Sequence, residues 1–282
     1  TVICSDKTGT LTKNEMTVTT LVLPDGRRIE ATGAGYSPEG RLLQDGKEID
    51  DPALRRLLEA CVLCNDAQLV PPDAEDTRWR ALGDPTEAAL LTVALKGCVE
   101  PETLRKTHPR HAELPFDSAT KMMATQHGRR VIVKGAPECL LELCADAASS
   151  RLVRQNEGSG SANTTASQQP PHSGECAYTA PSRLVRQNED GNAQPPDIRE
   201  IASQLATQAL RVLAVAELEN GQIDEKAGFE PIRGQLRFLG LLGQMDPPRD
   251  EVKSAVAECL DAGIRPVMVT GDHKATGLAI AT

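Results

Sequence analysis

The segment that decides the fold reads TVICSDKTGTLT and covers residues 1–12. Its first four residues predict a short buried β-strand, and the polar, turn-forming residues from Ser5 to Thr12 predict a loop after it. Asp6 is then expected just past the carboxyl end of a parallel strand, where open α/β sheets bind ligands. Gly9 permits a tight loop whose backbone N–H groups can surround a phosphate. The segment therefore predicts a phosphate-binding loop.

A carboxylate in this position has two interpretations, one as a nucleophile and one as part of a structural turn. Asp6 can attack phosphorus only if its repulsion from the phosphoryl oxygens is offset, which calls for Mg²⁺. The alternative is a turn without chemistry, because D-x-x-G sequences commonly form turns.

Composition excludes several classes of protein. The chain has 282 residues, enough for two domains, and a net charge of −9 with 2% aromatic residues, which argues against nucleic acid as a partner. No apolar run approaches the ~20 residues that span a bilayer, and the N-terminus lacks the basic start of a signal peptide. The missing initiator Met suggests a fragment.

Eight cysteines are scattered without the spacing of a secreted disulfide framework, which favours reduced thiols in the cytosol. Cys61 and Cys64 form a C-x-x-C pair on a predicted helix. Since no second Cys or His pair completes a zinc set, we expect both to pack in the core and expect no zinc site.

Hydrophobic periodicity predicts strand–loop–helix units at both ends of the chain and a strand-rich middle without regular crossovers. This layout predicts one α/β domain interrupted by a large α+β insertion. Residues 149–196 are rich in Ser, Gln, Asn, Pro and Gly and repeat SRLVRQNE twice, which indicates a low-complexity insert of unassigned role. Elsewhere the expected helices are residues 52–63, 85–95, 138–144, 198–210 and 250–262, and the expected strands are 17–23, 131–133, 212–217, 238–245 and 265–269.

Five motifs occur in order along the chain: DKTGTLT, KGAPE, LRVLA, DPPR and TGD. Together they resemble the cytoplasmic part of P-type cation-transporting ATPases, closest to the branch that moves Ca²⁺ and other light cations. The resemblance implies a haloacid-dehalogenase-like Rossmannoid phosphorylation domain, incomplete here, in residues 1–16 and 244–282. It also implies an α+β nucleotide-binding domain with a mainly antiparallel sheet in residues 17–243.

The same resemblance assigns catalytic roles to Asp6, Lys7, Thr8 and the motif Thr270-Gly271-Asp272. Asp6 is implied to accept the γ-phosphate of ATP, and Asp6 and Thr8 to hold Mg²⁺. Phosphatases of this fold usually carry a second Asp where this chain has Thr8, and that Asp speeds hydrolysis of the aspartyl phosphate. Thr8 therefore predicts a phosphoenzyme that persists. For Asp272, a purely structural helix N-cap is the alternative.

Further along the chain, the resemblance implies four residues that contact the nucleotide. Phe116 is expected to stack on adenine, with Lys121, Lys134 and Gly135 nearby. An exposed Lys before a turn is the alternative for Lys134. Ser118 occupies a position where the family often has Arg, which leaves one phosphate contact in doubt.

Two further residues have serious structural alternatives. Glu87 matches an acidic residue near the adenine amino group, but with Asp84 and Pro85 it also fits a helix-capping box. Arg211 matches an arginine that contacts the nucleotide phosphates, and a strand-edge arginine in a surface ion pair is the alternative.

Asp246-Pro247-Pro248-Arg249 is expected to join the two domains, because consecutive prolines fix φ and stiffen a connection. The resemblance places Asp246 and Arg249 near the nucleotide. A stiff pivot suits a protein that must carry ATP from its pocket to Asp6.

These observations predict the ATP-binding and autophosphorylation portion of an ion-translocating ATPase on the cytoplasmic face of a membrane. Its expected partners are ATP, Mg²⁺ and a transported cation that passes through a membrane part not in this sequence. A soluble phosphatase of the same fold and an inactive nucleotide-binding module are the alternatives. Because a G-D-G-x-N-D motif is absent, we expect little or no turnover from this chain alone.

Overall fold

The computed structural model describes residues 2–74, 76–144, 196–208, 210–247, 249 and 251–269. The side chains of Lys7 and Thr8 lie outside that description. So do the TGD motif at 270–272 and nearly all of the predicted insert.

Strands and helices alternate irregularly along the described residues. The strands are β1 Val2–Asp6, β2 Thr17–Val22, β3 Arg28–Ala31, β4 Leu42–Gln44, β5 Lys47–Glu48, β6 Gln68–Val70, β7 Arg80–Leu82, β8 Ala112–Asp117, β9 Met122–His127, β10 Arg130–Gly135, β11 Arg211–Glu219, β12 Arg237–Met245 and β13 Arg265–Val269. The helices are α1 Pro52–Leu63, α2 Pro85–Lys96, α3 Pro101–Thr107, α4 Pro137–Leu143, α5 Ile198–Thr207 and α6 Val252–Asp261, with a π-helical turn at Lys7–Leu11 and a 3₁₀ turn at Glu230–Ile232.

Nine strands form one sheet in the order β5-β4-β3-β2-β12-β11-β10-β9-β8. Every neighbouring pair in this sheet is antiparallel. The predicted mainly antiparallel sheet is thereby confirmed, and with the helices it makes a mixed α/β structure. β6 and β7 form a separate antiparallel pair.

The nine-stranded sheet has an apolar core on each face. Successive residues of a strand point to opposite faces, so Ile132 of β10 packs in one core while Val131 and Val133 pack in the other. The core around Ile132 contains the buried leucines of α1 and α2, and the core around Val131 contains Leu140 and Leu143 of α4 and Leu205 of α5. The result is a three-layer helix–sheet–helix arrangement.

Local capping sets the beginnings of the two largest helices. Asp51 precedes α1 and accepts hydrogen bonds from the N–H groups of Ala53 and Leu54. Asp84 precedes α2 and accepts hydrogen bonds from the N–H groups of Thr86 and Glu87. Each of the two helices has a proline in its first turn. Such caps satisfy N–H groups that have no partner within the helix. The predicted starts at residues 52 and 85 are confirmed.

Cys61 and Cys64 are fully buried in the α1 core, as predicted. Burial raises the pKa of the Cys61 thiol to about 12, which makes it a poor nucleophile and metal ligand at neutral pH. In the part of the chain that the structure describes, no three His, Cys, Asp or Glu side chains are grouped to hold a metal ion.

β1 and β13 form a parallel pair in which Asp6 stands opposite Val269. Both strands were predicted, but the expected burial of β1 is wrong for the described residues: Val2 is 57% exposed and Ile3 44% exposed. The physical reason is that β13 is the only strand paired with β1 among the described residues, and α6, beside β13, has no buried residue there.

None of the helices between residues 2 and 269 that the structure describes combines the length and apolar character required to cross a bilayer.

Candidate functional site

The candidate nucleotide residues meet at one edge of the nine-stranded sheet, namely the side at which β8 and β10 end and β9 and β11 begin. Because neighbouring strands are antiparallel, the end of one strand lies beside the start of the next. Asp117 at the end of β8 pairs with Met122 at the start of β9, Met122 pairs with Gly135 at the end of β10, and Gly135 pairs with Ala214 near the start of β11. This register brings together segments that are distant in the sequence.

Lys134 and Glu87 form a buried ion pair at this edge. Lys134 Nζ donates to Glu87 Oε1 at 2.5 Å and to the Cys64 carbonyl oxygen at 2.7 Å. The side chains of Lys134 and Glu87 are only 7% and 14% exposed. Lys134 is therefore not the exposed lysine of the alternative interpretation, and its ammonium group is held in place at the sheet edge.

The predicted capping box at α2 forms only in part. Asp84 accepts hydrogen bonds from the N–H groups of Thr86 at 2.8 Å and Glu87 at 3.2 Å, as a cap should. The Glu87 carboxylate instead accepts from the N–H groups of Asp66 at 2.8 Å and Ala67 at 3.2 Å. Glu87 thus links α2, the loop after α1 and β10.

Arg211 reaches the same helix start from β11. Its Nη1 donates to Thr86 Oγ1 at 2.9 Å. Sequence reasoning missed Thr86, although it stands beside Glu87 in the GDPTE segment. It also missed Asn65, a buried residue whose side-chain amide donates to the Glu87 carbonyl oxygen at 2.9 Å. No local pattern marks Asn65, because its partners come from another helix.

Phe116 presents its ring to solvent at this edge and is 64% exposed. The other two phenylalanines, Phe229 and Phe238, pack against the core. Phe116 is therefore not a core residue. Lys121 is also exposed, and its Nζ donates to Glu138 Oε1 at 3.1 Å. An apolar ring and a cation are therefore both accessible to a ligand here.

Gly135 allows two strands to approach closely beside Lys134. A Cβ at this position would overlap the Lys121 carbonyl oxygen and lie 2.6 Å from Met122 Cγ and 2.9 Å from Met122 Cα. Real Cβ atoms essentially never come so close to backbone atoms, so the glycine is needed for packing.

We expect Gly135→Ala to lower the free energy of unfolding by ~1–3 kcal/mol, the usual cost of overpacking. Urea unfolding followed by circular dichroism measures the change. Ser118→Ala, exposed on the same edge, is the control and should stay within ~0.5 kcal/mol. Equal stability of the two variants would mean that β9 and β10 can separate without cost.

The loop after Asp6 is held by the DPPR motif. Arg249 Nη2 donates to the Gly9 carbonyl oxygen at 3.1 Å, and Arg249 Nε donates to that of Thr12 at 3.1 Å. Thr12 Oγ1 donates to Asp246 Oδ2 at 2.5 Å. Asp6 is exposed at the end of β1. Asp246 and Arg249, which the resemblance places near the nucleotide, thus contact the loop after Asp6 in the described residues.

The chain passes twice between the loop after Asp6 and the nine-stranded sheet, once before Thr17 and once after Met245. These two connections, called the crossings, lie side by side. Thr17, the first residue of β2, pairs with Met245, the last residue of β12. The Lys13 N–H donates to the Pro247 carbonyl oxygen at 3.0 Å, which ties the two crossings together. Since Gln244 pairs with Arg211, the crossings leave the sheet at the edge that carries the candidate nucleotide residues.

Comparison with known proteins shows the family of the chain. The model of the family "P-type ATPase, cytoplasmic domain N" matches residues 53–159 and 191–251. The chain is 37% identical over 294 residues to the cation-transporting ATPase pma1 of Synechocystis sp. and 37% identical over 288 residues to a calcium-transporting ATPase of Bacillus subtilis. It is 36% identical over 292 residues to human calcium-transporting ATPase type 2C member 1.

These alignments cover 100%, 99% and 100% of this chain, but only 28%, 28% and 26% of the respective relatives. The chain thus spans about a quarter of the length of the curated relatives it matches. Because the family model matches more than half of the chain, and the relatives align along essentially all of it, the chain belongs to the P-type ATPase family and contains its cytoplasmic domain N.

Proposed function

We propose that this chain is the ATP-binding and autophosphorylation portion of a P-type cation-transporting ATPase. The observation that carries the proposal is the shared edge: the candidate nucleotide residues and both crossings to the Asp6 loop lie at one edge of the sheet. A nucleotide bound there is on the side of the sheet that leads to the proposed phosphate acceptor.

In this proposal, residues 17–243 form the nucleotide-binding domain, and residues 1–16 with 244–282 belong to a haloacid-dehalogenase-like phosphorylation domain. The parallel pairing of β1 with β13 supports the second part, because it joins the two ends of the chain in one sheet. Asp6 lies at the carboxyl end of that pair, which is where open α/β sheets bind ligands.

ATP would bind with its adenine against Phe116, whose exposed ring offers a stacking surface. Glu87 would accept from the adenine amino group while its buried partner Lys134 fixes its orientation. Lys121 and Arg211 would supply positive charge for the phosphates, and Gly135 lets the strand approach them closely. Positioning of this kind is the main contribution that a protein makes to phosphoryl transfer.

Asp6 would attack the γ-phosphorus through a carboxylate oxygen, forming an acyl phosphate as the bond to ADP breaks. Lys7 would offset phosphoryl charge beside it, and the Thr270 hydroxyl of the Thr270-Gly271-Asp272 motif would donate a hydrogen bond to a phosphoryl oxygen. With Thr8 in place of a second Asp, no carboxylate there would activate water.

Mg²⁺ fits the residues present, since it usually binds through one or two carboxylates together with substrate phosphates. Asp6, with an exposed carboxylate, and the backbone carbonyl of Thr8 would hold it. Bound there, it would offset the repulsion between Asp6 and the phosphoryl oxygens.

The complete pump would move Ca²⁺ or another light cation, with this chain on the cytoplasmic face of its membrane. Support comes from the relatives, which are named as cation- and calcium-transporting ATPases. A soluble phosphatase or an inactive nucleotide-binding module has no comparable support.

Phe116→Ala tests the nucleotide site. Base stacking on an aromatic side chain contributes ~1–3 kcal/mol, so ATP affinity of the 282-residue chain should fall ~5- to ~150-fold. Isothermal titration calorimetry measures it. Leu260→Ala, which truncates an exposed leucine on α6, is the matched control and should bind ATP like the unmodified chain. Unchanged affinity in Phe116→Ala would contradict adenine stacking.

A further inference from the structure

Gln244 of β12 is a fully buried polar residue whose side chain is unpaired. It is 0% exposed, and within the described residues neither its amide oxygen nor its amide nitrogen has a hydrogen-bond partner. Buried side-chain amides are normally paired, because a polar atom that loses its water and gains no partner is unfavourable. Neither the family resemblance nor the proposed ATP site uses Gln244, so its amide calls for an explanation of its own.

The strand register places Gln244 beside Arg211. The two residues stand directly opposite each other on β12 and β11. Two positions further into the sheet, Leu242 of β12 packs in the core around Ile132 and Leu213 of β11 packs against it. Side chains two positions apart along a strand share a face. Gln244 and Arg211 are therefore cross-strand neighbours on the face covered by α1 and α2, and Cβ atoms of such neighbours lie about 4.5–5.5 Å apart.

A bulge in the pairing of β12 with β2 falls immediately before Gln244. Gly243 pairs with Thr20 but Gln244 pairs with Val18, so one residue of β2 has no counterpart. Bulges change the direction of side chains and are frequent next to functional sites. The bulge therefore marks the end of β12, at the edge that carries the candidate nucleotide residues, as a specialised part of the sheet.

The Arg211 guanidinium still has hydrogen-bond donors available. It carries five N–H donors, and in the described parts of the chain its side-chain partner is Thr86 Oγ1, at 2.9 Å from Nη1. A guanidinium can only donate, and the amide oxygen of Gln244 can only accept. Arg211 and Gln244 are thus chemically complementary neighbours that are not hydrogen-bonded to each other in this structure.

We propose that Gln244 is a positioning residue of the nucleotide site, an inference that rests on the proposed function. Phosphate oxygens make stronger hydrogen bonds with a guanidinium than a neutral hydroxyl does, so bound ATP turns Arg211 away from Thr86. The Gln244 amide oxygen then accepts from the guanidinium and fixes its direction at the sheet edge. Because this pairing relieves the unfavourable burial of an unpaired oxygen, Gln244 favours the ATP-bound state over the free state.

Gln244→Met tests this role, because methionine has a similar length and volume but no amide. The affinity of the 282-residue chain for ATP, measured by isothermal titration calorimetry, should fall about tenfold, as for the loss of one hydrogen bond to a charged group. In urea unfolding, Gln244→Met should be at least as stable as the unmodified chain, since an apolar side chain replaces unpaired polar atoms. Leu242→Met, on the same strand and face, is the matched control and should bind ATP normally.

A double-mutant cycle with Arg211→Ala separates positioning from a general effect on the fold. Once the guanidinium is absent, Gln244→Met should cause no further loss of ATP affinity, whereas a purely structural role would give the same loss in both backgrounds. That equal loss overturns the inference. So does unchanged ATP affinity in Gln244→Met, or lower stability of this variant, which would mean that the amide already has a partner. Absence of ATP binding by the unmodified chain would overturn the proposed function as well.

Discussion

Glu217→Ala is expected to lower the free energy of unfolding by ~3–5 kcal/mol, the range typical for breaking a buried ion pair by removing one partner. The Glu217 side chain is fully buried on β11. Its carboxylate accepts from Arg56 Nε at 2.5 Å and Arg130 Nε at 2.8 Å, and it is also paired with Arg237. Removal takes away the one buried anion that the three guanidinium groups share, and leaves Arg56 and Arg237 with Glu219 and Arg130 with Glu59.

The pH dependence of stability should identify this carboxylate. Burial opposes ionisation of Glu217, but hydrogen bonds from Arg56 and Arg237 and the charge of Arg130 prevail and lower its pKa below the ordinary 4.5. A carboxylate whose pKa is lowered in the folded state stabilises the protein at pH values above its unfolded-state pKa. This stabilisation is lost as the pH falls through the folded-state pKa. The difference in free energy of unfolding between the unmodified chain and Glu217→Ala should therefore be largest at neutral pH. It should become smaller below about pH 4.5.

Urea unfolding at pH 7 and at pH 4 measures both effects. Glu102→Gln breaks an exposed pair with Lys106 on α3 and should cost less than ~0.5 kcal/mol, as surface pairs usually do. A loss below ~1 kcal/mol in Glu217→Ala, or a gap that does not change with pH, would show that the arginines find other partners.

The sequence predicted elements whose signals are local. α1 and α2 begin where Asp51 and Asp84 precede prolines, because cap and first turn are adjacent in the chain. The order of the strands has no such signal. β2 and β12 are neighbours although more than 200 residues separate them, and only packing of the whole sheet determines that pairing.

The candidate site shows the same limit. Motifs named Phe116 and Lys134 as ligand contacts, and the exposure of Phe116 fits its predicted role. The burial of Lys134 and its bond to Glu87 were not predictable, because the two residues are 47 positions apart and meet only when α2 packs on the sheet. The exposure of β1 was not predicted, because the apolar residues of a strand do not indicate how many neighbouring strands and helices cover it.

Asp6→Asn is expected to abolish the phosphoenzyme of the complete pump that we propose contains this chain. An amide has no anionic oxygen to attack phosphorus, and its nitrogen lone pair is delocalised. Acid-stable ³²P from γ-labelled ATP should fall to background in this variant. Asp6→Glu keeps the charge but moves the nucleophilic oxygens by one methylene group, and a shift of ~1 Å can cost ~10²-fold in rate.

Binding and transfer can be separated in the same variants. ATP affinity should persist in Asp6→Asn, because Phe116, Glu87 and Lys134 belong to the nine-stranded sheet and its helices rather than to β1. Asp261→Asn, an exposed carboxylate at the end of α6, is the matched control and should retain the label. Label that survives in Asp6→Asn would place the acceptor elsewhere, whereas loss of both label and ATP affinity would mean that the substitution disturbs the fold. The proposed chemistry requires loss of the label alone, because the carboxylate that receives the phosphoryl group and the side chains that hold the nucleotide come from different parts of the chain.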